Sequence, residues 1–288
     1  MTTVLIAGAT GFLGEYVIRR LLKSSLEISA FVRPTSDIAW LSKQDVRLIP
    51  GDLSQGDDIQ NALQGVDLFI TVASLGFGHA PNIVNALIES GVRRAVFVSS
   101  TSIFSKLSTS SKSTRIQAEL VIAESGLDYT IIRPTMIYGS PRDRNIWRLV
   151  NFVNKSPIVP IIGRGDAMQQ PVYVDDVAQA IISAAQYDLS IGQSYDIAGA
   201  EAISFLDILN LVSTALGQSI NKVHIPYVMA KYASFLLGGL GLGITFEQVL
   251  RFGEEKTFDI SAASRDLGYK PLSFEKGLAH EIQWLRKL

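Results

Sequence analysis

Residues 4–22 read VLIAGATGFLGEYVIRRLL, and no other stretch restricts the fold as strongly. An apolar run, three glycines at Gly8, Gly11 and Gly14, and an amphipathic segment follow one another without a break. A first glycine makes a tight turn after a buried strand, a second lets backbone approach a pyrophosphate, and a third lets helix and strand pack closely. The helix that follows presents unpaired N–H groups and the positive end of its dipole to the phosphates. Gly8, Gly11 and Gly14, with Thr10, Phe12 and Leu13 between and after them, form the first candidate cofactor-binding set.

The rest of the first half fits this start. Apolar runs at 4–7, 28–32, 46–49, 67–72, 95–99 and 129–132 read as strands, and 12–23, 59–63, 82–90 and 114–125 read as helices. Continuous Val/Ile/Leu/Phe runs suit strands buried on both faces, and their alternation with helices predicts a parallel, doubly wound α/β sheet. The second half is less regular. Helices are expected at 145–153, 175–186 (with Asp175 as its N-cap), 204–215, 228–237, 246–251 and 278–288. A strand is expected at 195–197, and 257–268 reads as a strand leading into a short helix. The expected division is two domains that trade chain segments: one over 1–140, to which 171–200 returns, and a smaller one from 141–170 and 201–288.

Bulk properties exclude other classes. With 26 Lys plus Arg against 27 Asp plus Glu in 288 residues, there is no basic excess for nucleic acid. The chain has no cysteine, so disulfides and thiolate chemistry are out. The first residues lack a basic n-region and their apolar run breaks at glycine, so a cytoplasmic location is expected. The uncharged run at 232–246 is shorter than the roughly 20 residues of a spanning helix. The GGLGLG at 238–243 follows a helix rather than a strand, so a phosphate loop has no scaffold there. His79, His224 and His280 are scattered, and no metal site is expected.

The end of the second strand should read the adenosine ribose. An acidic residue there favours NAD, whereas here Arg33 follows directly. Its paired donors suit a 2′-phosphate, so NADP(H) is expected over NAD(H). Asp52, followed by Leu53 after the third strand, is placed to accept from the adenine amino group, a role compatible with turn formation.

The motifs GATGFLG (8–14), GDL (51–53), VASLG (72–76), VFVSSTSIF (96–104), QAELVIAESGLDYTIIRPTMIYG (117–139) and QQPVYVDDVAQAI (169–181) together resemble the short-chain dehydrogenase/reductase superfamily. The likeness is to its extended or atypical branch of nucleoside-diphosphate-sugar epimerases and dehydratases. The resemblance implies a Rossmann domain with a small C-terminal domain closing over the nicotinamide end. It implies that Val72, Ala73, Ser74 and Ser99 border the cofactor and that Ser100 is the catalytic serine, with Thr101 close behind. Arg133, Pro134, Thr135 and Tyr138 would flank the nicotinamide and substrate, and Gln170 and Tyr173 would face the cleft. The helices at 82–90 and 114–125 would be the faces of a homodimer.

One stretch departs from the pattern. The superfamily's catalytic pair is a tyrosine and, four residues on, a lysine, with a glutamate commonly four further. In STSSKSTRIQAE (108–119), Glu119 fixes the frame, and Ser111 and Arg115 then stand where the pair should be. Shifting one turn to use Lys112 puts Ser108 at the tyrosine position. A phenol has a pKa of about 10 that a nearby cation lowers toward the working range, whereas an aliphatic hydroxyl ionises far less readily. Arginine keeps its proton and cannot donate it. Replacement acids are Tyr138, then Tyr173, then Lys106, while His79 lies near the cofactor's path. Arg142 and Arg144 stand beside the expected cleft, where they could meet a diphosphate.

Two readings follow. The chain is an NAD(P)-dependent oxidoreductase or epimerase acting on a nucleotide sugar or related carbonyl compound, with Ser111 and Arg115 in place of the usual pair. Alternatively, it is a non-catalytic NADP(H)-binding module, structural or redox-sensing, that acts through a protein partner.

Overall fold

The computed structural model describes residues 2–107, 109–230 and 254–285. The expected segments at 232–246, 238–243 and 246–251, most of 228–237, and Ser108 lie outside the described residues. A seven-stranded sheet is built from β1 (Thr3–Ala7), β2 (Glu27–Val32), β3 (Arg47–Pro50), β4 (Leu68–Thr71), β5 (Arg94–Val98), β6 (Asp128–Pro134) and β11 (Gln193–Ile197). Its order is β11-β6-β5-β4-β1-β2-β3, with every pair parallel. The doubly wound α/β fold read from the sequence is borne out. The order reverses at β1, which lies between β2 and β4, so the crevice for a ligand opens beside the glycine loop.

Alternation along β1 shows why both faces must be covered. Val4 and Ile6 enter one core layer, and Leu5 and Ala7 the other. The first layer is closed by α1 (Phe12–Leu21), α6 (Val174–Gln186) and α8 (Ser261–Leu267). The second is closed by α2 (Gly56–Ala62), α3 (Ala80–Glu89) and α4 (Ser110–Ala123). A bidentate pair ties α1 to α6: Arg20 Nε and Nη2 each donate to Asp175 at 2.8 Å. Asp175 is therefore not the cap expected of it. Tyr173 occupies the N-cap position and makes no side-chain cap. At the far end of β5, the Arg94 guanidinium donates to Asp128 O and to the hydroxyls of Thr130 and Ser190, which closes the edge where β11 joins β6.

A separate apolar core holds the second half. It gathers Tyr138, Ile146, Val150, Ile161, Leu209 and Phe274. These come from β7 (Ile137–Tyr138), α5 (Ile146–Lys155), β8 (Ile158–Ile162), α7 (Phe205–Leu216) and α9 (Phe274–Leu285). Three ribbons complete it: β7 with β10 (Val172–Tyr173), β8 with β13 (Asn221–Ile225), and β9 (Met168–Gln169) with β12 (Ile203–Ser204). The strand expected ahead of α8 is not formed; 257–260 is irregular and pairs with no strand.

Candidate functional site

The loops that the sequence marked for the cofactor leave the carboxyl ends of strands of the large sheet. The first follows β1. Gly8 has φ +85°, a conformation that L side chains rarely adopt. A Cβ on Gly14 would lie 2.2 Å from Gly8 O, so only glycine lets α1 start this close to the turn. Gly11 differs: a Cβ there would meet only Gly8 O, at 3.2 Å, within a 4 Å radius. Gly11 is the N-cap of α1 and offers no side-chain cap, leaving the first N–H groups of α1 for a ligand. Bare backbone, open space over Gly11 and a helix N-terminus fit a pyrophosphate. Leu13 is buried in the core, and Phe12 packs edge-on against Tyr16.

Arg33 is exposed after β2 and lines a hollow of about 320 Å³ with Thr10, Thr35, Ser36, Asp37 and Arg142. After β3, Asp52 Oδ1 accepts from Ser54 N at 2.8 Å, and this turn bond holds its carboxyl below the usual range. Leu53 packs against the second core layer. After β4, Val72 N donates to Ala7 O, keeping the 72–74 loop against the glycine turn. Ser74 Oγ accepts from Gly76 N and from Arg115 Nη2, both at 3.2 Å. Arg115 thus reaches from α4 to the loop after β4, its guanidinium lying over Gly76. Arg115 Nη1 also donates to Ser111 O, while Ser111 Oγ pairs with Thr109 Oγ1.

After β5, Ser99 is buried with an unpartnered Oγ, and Ser100 Oγ accepts from Ser102 N to cap the 3-10 turn Thr101–Phe104. Thr101 donates to Pro134 O at 3.3 Å. Lys112 Nζ donates to Ser105 O, and Glu254 accepts from Ser105 Oγ and Lys106 N, so the loop after β5 is pinned from two directions.

Several expected site residues are committed elsewhere. Arg133 binds Glu119 through Nε and Nη2, lies 3.8 Å from Asp196, and stacks over Phe104. Gln170 is buried, donating to Gly199 O and accepting from Phe258 N, and its own carbonyl accepts from Thr135. It joins three segments rather than facing an open cleft. Tyr138 is 1% exposed, and its hydroxyl donates to Phe274 O at 3.3 Å in the core of the second half. Burial pushes its phenol well above the ordinary range, the reverse of what a proton donor near neutral pH requires. The structure argues against Tyr138 as the replacement acid. Tyr173, half-buried, stacks on His280 and meets Tyr138 edge-on, and burial raises its phenol too. His79 sits at the start of α3 with its ring beside Phe77.

The sequence marked Arg142 beside the cleft but not its reach to the glycine loop, and it gave no signal for Glu281. The Arg142 guanidinium crosses from the loop after β7 to the glycine loop, with Nη2 donating to Thr10 O at 2.6 Å. Glu281 of α9 is 0% exposed with neither oxygen hydrogen-bonded, and burial, followed by the negative charge of Asp143, pushes its carboxyl up to about 10. Among the described residues no group of three acidic or histidine side chains can hold a metal, and no helix is long and apolar enough to cross a membrane.

Known proteins share this arrangement. A family model for NAD(P)H-binding proteins matches residues 8–187. The sterol-4-alpha-carboxylate 3-dehydrogenase, decarboxylating, of Mus musculus is 25% identical over 320 residues, covering 93% of this chain and 86% of that protein. The mitochondrial NADH dehydrogenase (ubiquinone) 1 alpha subcomplex subunit 9 of Arabidopsis thaliana is 29% identical, covering 78% of this chain and 61% of that protein. Among solved structures, the UDP-glucuronic acid 4-epimerase of Bacillus cereus in complex with NAD superposes with a TM-score of 0.80 at 19% identity, covering 99% of each chain. These matches bear out the resemblance to the short-chain dehydrogenase/reductase superfamily: the family model shows NAD(P)H binding, and the solved structure shows the fold. From the glycine loop through α6, the match covers the cofactor half of the molecule, and the chain belongs to the NAD(P)H-binding family.

Proposed function

We propose that the chain is an NADP(H)-dependent oxidoreductase or epimerase acting on a nucleotide sugar or related carbonyl compound. The observation that carries this reading is the Arg115–Ser74 hydrogen bond, which fixes a cation over Gly76 beside the loops after β4 and β5. The nicotinamide supplies hydride transfer when bound. Gly8 through Gly14 and Arg33 hold its phosphates, Asp52 accepts from the adenine, and Val72, Ala73 and Ser74 border it. Ser100 binds the substrate oxygen. Arg115 supplies fixed positive charge without giving up its proton, and Ser111 relays a proton. A cytoplasmic homodimer goes with this reading, since Ile88, Ile116 and Leu120 are exposed on α3 and α4; sedimentation velocity tests the dimer.

The burial of Tyr138 favours a second reading, the non-catalytic NADP(H)-binding module. So does the similarity to a protein named as a subunit of an NADH dehydrogenase (ubiquinone) subcomplex. One experiment separates the two. Nicotinamide fluorescence is titrated with NADPH and NADH, and a panel of nucleotide sugars is then added with absorbance followed at the reduced-nicotinamide band. Turnover of any sugar that Arg115→Ala reduces at least tenfold supports the enzyme. Tight binding with no turnover and no effect of any sugar on affinity supports the module. Absence of nucleotide binding overturns both.

A further inference from the structure

The geometry points to Arg142 as a second cation for the 2′-phosphate of NADP(H), carried to the cofactor half by the loop that opens the second half. This rests on the NADP(H) reading above. That reading uses Arg33 alone, which is exposed at the end of β2.

The hollow lined by Thr10, Arg33, Thr35, Ser36, Asp37 and Arg142 has a volume of about 320 Å³. It sits between the glycine loop and the end of β2, the place where the adenosine ribose is read. Arg142 arrives there from 132 residues along the chain. Its Nη2 donates to Thr10 O at 2.6 Å and its Nη1 to Glu15 Oε2 at 2.8 Å. Two of its five N–H donors are thereby used, and the remainder stay available to a planar or tetrahedral oxyanion. Glu15 does not neutralise it, because Oε1 of the same carboxylate is taken by Arg19 at 2.8 Å. Arg19, Arg33 and Arg142 against Glu15 and Asp37 leave one positive charge unmatched around the hollow. Thr35 and Ser36 add hydroxyl donors. These features suit a dianionic phosphate better than a ribose hydroxyl.

The loop holds Arg142 from the other side as well. Its neighbour Asp143 is buried and accepts from Asn145 N at 2.8 Å, Trp147 N at 3.1 Å and Gly139 N at 3.3 Å. Those bonds lock the loop to the start of α5, so the cation is positioned by the packing of the second half. One phosphate is then read by both halves of the molecule, and the cofactor's identity is linked to the seating of α5.

The test measures equilibrium affinities of the full chain for NADPH and NADH by nicotinamide fluorescence, for the wild type and for Arg33→Ala, Arg142→Ala, Arg142→Lys and Arg142→Gln. The thermal midpoint of each, without nucleotide, checks folding. Arg142 is about half exposed, so its variants keep the fold. The expected result is preference of the wild type for NADPH. Arg142→Ala weakens NADPH about tenfold to a hundredfold and NADH less than about twofold. Lysine restores part of the loss because charge is kept and the fork is lost, while glutamine restores little. If the wild type prefers NADPH, Arg33→Ala abolishes the preference and Arg142→Ala leaves it intact, the inference about Arg142 is overturned and the NADP(H) reading stands. Equal weakening of NADPH and NADH in Arg142→Ala makes the residue a structural clamp and also overturns it. A wild type that favours NADH, with the preference removed by Asp37→Asn, overturns the NADP(H) reading and the inference together.

Discussion

Arg133 places Nη2 at 2.6 Å and Nε at 3.0 Å from the same Glu119 oxygen, so the last residues of β6 are bolted to the middle of α4. Both side chains are mostly shielded, at 20% and 10% exposure. The helix that should carry a catalytic tyrosine and lysine is thereby fixed to the sheet by an ion pair instead. Removing Glu119 leaves Arg133 with only the longer approach of Asp196, at 3.8 Å, to balance its shielded charge. Glu119→Ala is expected to lower stability by about 3 kcal/mol, and Glu119→Gln by less, because an amide still accepts from the guanidinium. Urea denaturation of both variants checks this. Equal losses would mean that shape, rather than charge and hydrogen bonding, matters there.

Tyr138→Phe removes one hydroxyl and one hydrogen bond to Phe274 O while keeping the ring against Tyr173 and Phe274. The expected stability loss is about 1 kcal/mol. Any turnover that the wild type shows should be unchanged in its pH profile. A lost or shifted basic limb would return Tyr138 to the chemistry.

Two glycines three residues apart should fail in different ways. Gly14→Ala drives a Cβ into Gly8 O at 2.2 Å, a backbone atom that cannot move aside, and should cost about 3 kcal/mol. Gly11→Ala meets Gly8 O at 3.2 Å and little else, so it should cost about 1 kcal/mol as a poorer N-cap. Its methyl nevertheless occupies the space over the loop. The measurement is thermal midpoint beside NADPH affinity: Gly14→Ala loses the first, and Gly11→Ala keeps most of the first and loses the second.

The contrast between halves shows what the sequence could carry. Strands such as β1 were readable because burial on both faces makes nearly every residue apolar, and the glycine loop because Gly8 and Gly14 answer local steric demands. β8 was missed although Val159 and Ile161 are buried and Ile158 and Pro160 exposed, a period-two pattern. Proline at its centre speaks against a strand, and only its position on a two-stranded ribbon lets it stand there. Asp175 looked like a helix cap because caps are local, yet its carboxylate was claimed by Arg20 from 155 residues away. The reach of Arg142 to Thr10 and the pairing of Arg133 with Glu119 are likewise set by tertiary packing. Exposure was the other unreadable quantity: the sequence offers Tyr138 as a phenol in a site motif and does not say that Phe274 covers it.

Glu281 makes a pH dependence predictable. Its carboxyl is fully buried beside Asp143 and is raised to about 10 in the folded state, against 4.5 as the ordinary value. The unfolded chain therefore loses this proton near pH 4.5, whereas the folded protein keeps it. Between those values ionisation favours the unfolded state, so the contribution of Glu281 is fully present below pH 4.5 and is lost as pH rises toward 10. A group shifted across this whole window would cost up to about 1.4 kcal/mol per pH unit. Glu281→Gln keeps the shape, removes the titration and retains an N–H to offer Asp143. Its unfolding free energy relative to wild type, measured in urea at pH 6, 7 and 8, should rise steadily with pH. A difference that stays constant across the three would show that Glu281 is ionised in the folded protein, with a partner for its charge among the groups around Asp143.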